Sequence, residues 1–144
     1  MERFETASAA MVRLMVAPRE YIANDDSSIE QGIVLLFQAG EFDEQSGRAP
    51  FVFTLEITAV TEQWVGIATS QAQVTLSFQR DSDTREFDFA ALRQSAASYA
   101  VPLLIPLTAQ GLAGASAQMP HCDLDIMEMV ESTDVRMAFS ETTE

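Results

Sequence analysis

The residues of this chain whose types and spacing could do chemistry lie just after Pro120. His121, Asp123 and Asp125 alternate along a segment that reads as a strand, and alternate strand residues project from one face, about 6.6–6.8 Å apart per pair. An imidazole with two carboxylates on one face is the beginning of a divalent-cation site. It is not a cage, because His121 is the one histidine of the chain and no loop brings further ligands to it. A solvated polar face is the stronger reading, and no metal is expected. His121 beside Cys122 supplies a base and a thiol, but strand neighbours point to opposite faces and cannot share a proton. Asp81-Ser82-Asp83-Thr84-Arg85 opens like a calcium loop, yet arginine takes a ligand position, no glycine stands at the sixth place and Leu92 occupies the twelfth, so it reads as a turn. Gly111-Leu112-Ala113-Gly114 has the outline of a phosphate-clamping GxxG loop without a basic residue nearby, and close helix packing explains it better. No catalytic residue and no cofactor is expected, and the chain reads as a non-enzyme.

Composition narrows the classes further. The chain has 144 residues with Lys+Arg 8 against Asp+Glu 22, a formal net charge of −14, and every basic residue is an arginine. Without lysine, Schiff-base and Walker-type phosphate chemistry are excluded. Scattered arginines cannot outweigh that many carboxylates, so no nucleic-acid partner is expected. At 47% hydrophobic and 21% charged the chain is an ordinary globular domain, large enough for a core without disulfides. A lone cysteine, Cys122, and an acidic start, Met1-Glu2-Arg3-Phe4-Glu5, fit a reducing cytoplasm with no secretory leader.

The elements that position these residues follow from periodicity. Met11 to Val16, closed by Pro18, reads as an edge strand, and Gly32 to Phe37 as a second. Phe51, Phe53, Leu55, Ile57 and Ala59 alternate with Val52, Thr54, Glu56, Thr58 and Val60, giving a third strand with one buried face. After Thr61-Glu62-Gln63 a fourth runs from Trp64 to Gln79, with Val65 and Ile67 out of phase with Ala72, which predicts a bulge near Thr69–Gln71. The period then changes to 3.6. Asp88 is placed to cap a helix whose face carries Phe89, Leu92, Ala96 and Tyr99 and which ends before Pro102. A second helix is predicted to open with Pro106 and to run through Leu107 and Leu112 toward Met119. Gln94 to Pro120 carries no charge, but only Val101–Leu107 is solidly apolar. That is about a third of the roughly 20 residues a bilayer span takes, so no membrane insertion is expected. His121 to Val130 alternates like a strand, and residues 131–144 read as an acidic, mobile tail behind a single domain over 1–130. Four strands followed by two helices is the segregated α+β pattern.

At this point the chain resembles the SecB-like family, bacterial preprotein chaperones and their divergent relatives. The resemblance rests on the hairpin from Phe51 to Val60 and back through Trp64, Leu76 and Phe78. It continues through Tyr99, the two-proline linker Pro102-Leu103-Leu104-Ile105-Pro106, and a helix closing at Met119-Pro120 before Cys122 and Leu124. The chain departs from the family in carrying Thr108-Ala109-Gln110 where an arginine-rich start is usual, and Asp125-Ile126-Met127-Glu128 at the end. It also has uncharged Thr69-Ser70-Gln71 where the family places an acid to meet the SecA motor.

The resemblance implies a four-stranded antiparallel sheet with two helices on one face, assembled as a homodimer or homotetramer. It also implies a cytoplasmic protein that holds apolar segments of unfolded or partly folded polypeptides, including in export. The alternative is a structural or regulatory protein dedicated to one partner, such as a toxin–antitoxin chaperone. Phe37, Phe42, Trp64, Leu103, Leu104 and Ile105 are the expected peptide contacts. Leu107, Gly111, Leu112, Gly114 and Ala115 are the expected subunit interface, because a helix apolar around most of its circumference needs a second partner.

Overall fold

The structure, a computed structural model, describes residues 2–21, 30–39, 48–78 and 89–139. Phe42, the Asp88 cap and the 80–86 loop lie outside the described residues. The fold is α+β, with strands β1 (Glu2–Pro18), β2 (Gly32–Ala39), β3 (Arg48–Val60) and β4 (Trp64–Phe78) preceding helices α1 (Phe89–Ala117) and α2 (Ile126–Ser132) and a last strand, β5 (Val135–Phe139). The sheet order is β1-β4-β3-β2-β5.

The alternation in β3 does what its pattern dictates. Phe51, Phe53, Leu55, Ile57 and Ala59 are buried, while the residues between them are half-buried on the other face. Opposite them in β4 stand Val74, Ala72, Ser70, Ala68 and Gly66, so large side chains of one strand meet small ones of the next. Phe37 of β2 completes an aromatic cluster, its ring centroid 5.2 Å from Phe51 and 5.1 Å from Phe53. Tilted ring pairs of this kind contribute about 0.5–1.5 kcal/mol each beyond their buried area.

Four sequence expectations are corrected. The β4 register against β3 is unbroken from Val65 to Ser77, and the irregularities lie in β1, between Thr6 and Ser8 and between Met11 and Arg13. Val65 is out of phase because β4 buries apolar residues on both faces at this end, with no need of a bulge.

Pro102 and Pro106 do not divide the helix, and both lie inside the continuous α1. A proline removes one intrahelical N–H bond and crowds the preceding turn. Here both prolines are exposed, so the carbonyls of Ser98 and Pro102 lose their partners on the solvent side. Burial of Ala96, Ala100, Leu104, Thr108, Leu112 and Ser116 holds the register across them.

Third, the segment after Pro120 is a turn and a short helix. His121 takes a left-handed φ of 57° that reverses the chain, and the Asp125 carboxylate accepts from the Glu128 N–H at 3.2 Å to cap α2. Fourth, part of the supposed tail is the edge strand β5, which pairs parallel to β2 with Val135 beside Ile33 and Met137 beside Leu35. The sheet is therefore five-stranded and mixed instead of four-stranded and antiparallel.

Candidate functional site

The site is built on the outward side of α1. Each four-residue step of its buried row advances about 40° around the helix axis. The row therefore turns along the helix, meeting β4 at Thr108 and Leu112 and approaching α2 near Ser116. At the middle, Thr108 Oγ1 lies 2.7 Å from the Leu104 carbonyl oxygen and 2.8 Å from Ser70 Oγ of β4. Both hydroxyl residues are fully buried. With Thr108 donating to the carbonyl, Ser70 donates to Thr108, and both protons are used. Further on, Gly66 admits the helix closely, for a Cβ there would stand 2.9 Å from Leu112 Cδ1 and 3.2 Å from Leu124 Cδ1.

The opposite side of α1 carries Gln94, Ser98, Pro102, Leu103, Pro106, Gln110 and Gly114, all exposed and none charged. On a chain of net charge −14, this strip of about 30 Å at 1.5 Å per residue carries no carboxylate. By length and composition Gln94–Ala117 could cross a bilayer. It is used here as the packing helix of the domain, with Leu104 and Leu112 enclosed by the sheet.

Where α1 ends, an open groove of about 420 Å³ lies between its last turns and α2, lined by Ala113, Ser116, Cys122, Leu124 and Met127 among others. Met119 and Met127 are exposed at 37% and 51%. Flexible thioethers of this kind adapt to varied apolar side chains. The loop carrying the groove is fixed to the β3–β4 turn. Thr61 Oγ1 accepts from the Trp64 N–H at 3.0 Å and donates to Asp123 Oδ1 at 2.7 Å, while the Arg19 N–H reaches the Gln63 carbonyl at 2.8 Å.

The expected contact residues divide. Phe37, Trp64 and Leu104 are buried in the chain's own fold at 3%, 9% and 0% and cannot meet a partner without opening it. Leu112 is likewise fully buried, and Gly111 faces Met11 of β1, whose Cε occupies the place of a Cβ. These five are structural. Leu103 and Gly114 are exposed on the outward face, Leu107 and Ala115 are half-buried, and Ile105, also half-buried, packs against the core. Sequence reasoning missed Met119 and Met127, whose signal was their place on either side of the helix-breaking Pro120. His121, Asp123 and Asp125 do not converge. His121 is in the turn, Asp123 binds Thr61 and Asp125 caps α2, and among the described residues no three His, Cys, Asp or Glu side chains are placed to hold a metal ion.

Fold and surface together define an α+β domain with a charge-free helix face. No family model and no curated protein matches the chain. A solved structure, the crystal structure of a protein of unknown function from Streptococcus agalactiae, is similar with a TM-score of 0.52 at 12% identity. The likeness covers 76% of this chain and 87% of that one, and it extends to the fold.

Proposed function

We propose that this chain is a SecB-like binding protein that holds apolar segments of unfolded polypeptides on the outward face of α1 and the groove at its end. The observation that carries the reading is the absence of any charge from Gln94 to Pro120 on a helix whose far side is exposed. A helix apolar on several sides needs a second partner, and unfolded chains offer apolar stretches in abundance. The carboxylates elsewhere keep a loaded complex soluble through mutual repulsion. Between clients, the same face is covered by a second copy in a homodimer or homotetramer, where two uncharged surfaces meet away from the acids. The work is binding, with no bond made or broken.

The experiment is dilution of a denatured model protein into buffer with and without this chain. Suppression of light scattering at near-equimolar subunits is the expected result. Scattering unchanged at a several-fold excess overturns the reading.

A further inference from the structure

The other face of the sheet, turned away from α1, carries an independent surface of opposite polarity. Register alone assembles it. Arg13 of β1 pairs with Thr69 of β4, Thr69 with Glu56 of β3, Glu56 with Val34 of β2, and Val34 with Arg136 of β5. This row crosses the whole sheet. In this row Arg13 and Arg136 stand against the single carboxylate of Glu56, in a chain whose acids outnumber its arginines 22 to 8.

Arg13 and Arg136 are exposed, and neither forms an ion pair among the described residues. Between them the floor is partly apolar, with Val34 and Ile67 half-buried and Leu36 exposed at 41%. Thr69, 8% exposed, holds a buried hydroxyl with no hydrogen-bond partner. An unsatisfied buried hydroxyl is uncommon in a folded chain and asks for an explanation.

We infer that this face docks an acidic amphipathic segment of another polypeptide, whose carboxylates pair with Arg13 and Arg136 while its apolar side covers Val34, Ile67 and Leu36. Arg13 and Arg136 are four inter-strand spacings apart, about 19 Å, which matches about 13 residues of helix. Arg13 is the cross-strand neighbour of Thr69, about 4.8 Å away between backbones, so a carboxylate drawn in by Arg13 is the nearest external acceptor for the Thr69 hydroxyl. A partly apolar floor suits side chains and not a phosphate backbone, and the net charge of −14 repels polyphosphates at long range.

The test uses the full chain and a fluorescein-labelled helical peptide of leucines and glutamates, compared by anisotropy with the same peptide carrying glutamines. The protein's overall charge disfavours the acidic peptide, so preference for it reports a local site. Tighter binding of the glutamate peptide is expected, with a loss of about 10-fold or more in R13E/R136E. R13Q/R136Q serves if the reversal perturbs the circular dichroism. Thr69→Val is expected to weaken peptide binding several-fold without lowering the thermal midpoint, which a merely structural threonine would not do. Leu103→Glu on α1 is expected to leave this binding unchanged.

Equal affinity for the two peptides, or binding indifferent to both arginine variants, overturns the inference. So does an oligonucleotide that competes through the same arginines, which would make the face a polyphosphate site. A dimer that dissociates in R13E/R136E without peptide overturns it too, by assigning the face to a second copy.

Discussion

Thr108→Val replaces the hydroxyl that joins α1 to β4 with a methyl of similar volume. Ser70 Oγ, fully buried and 2.8 Å from Thr108 Oγ1, then keeps a proton with no acceptor. Desolvating a group without a partner costs about 1–3 kcal/mol. Ser70→Ala is milder, because Thr108 keeps the Leu104 carbonyl at 2.7 Å, and the loss of one bond is worth about 0.5–1.5 kcal/mol. Removing both hydroxyls leaves nothing unsatisfied, so the double variant is expected to fall short of the summed single losses by about 1–3 kcal/mol. Urea unfolding measures this through Trp64, the one tryptophan, which is buried at 9% and reports the folded state. Circular dichroism must give coincident transitions, and one protein concentration must be held throughout because assembly shifts apparent stability. Strictly additive single effects, or a Thr108→Val variant as stable as the parent, would refute the buried pair.

Three further outcomes follow from the packing. Gly66→Val forces atoms against Leu112 and Leu124, where even a Cβ would stand at 2.9 and 3.2 Å, and is expected to lower stability by about 1–3 kcal/mol in the same unfolding assay. Asp125→Ala removes the cap of α2 and should lower stability by about 1 kcal/mol, with Asn restoring most of it. A chain stopped after Thr133 loses β5 and leaves Ile33, Leu35 and Phe37 beside an open edge. Faster proteolysis and greater dye binding than in the full chain are expected, and unchanged protection would contradict the pairing.

Much of the sheet was legible because its signals are local. The five alternating residues from Phe51 to Ala59 announce a strand with one buried face whatever surrounds them. The helix departs from its local signal at Pro102, where backbone preference competes with burial of Leu104, Thr108 and Leu112, and burial wins. α2 carries a local signal of its own. Asp125 and Glu128 form the spacing of a capping box ahead of Met129 and Val130, but the alternation of His121 to Ile126 masked it. β5 could not be recognised alone, since five residues become a strand only beside a neighbour, and that neighbour, β2, lies about a hundred residues earlier. The site was legible in its charge pattern and illegible in its orientation. Gln94 to Pro120 could be seen to lack charge, whereas the burial of Phe37, Trp64, Leu104 and Leu112 depends on which elements the sheet brings together. The row joining Arg13 to Arg136 is of the same kind, created wholly by strand order.

The central claim is that the outward face of α1 holds unfolded polypeptide. Its most direct test is a fluorescence titration of a permanently unfolded, reduced and carboxymethylated protein with the parent chain and with Leu103→Glu, which places a charge on an exposed position without touching the core. Saturable binding by the parent and a loss of about 10-fold or more in the variant are expected, the scale for burying an unpaired charge in an apolar contact. Binding of equal strength by both chains, or by neither, would contradict it.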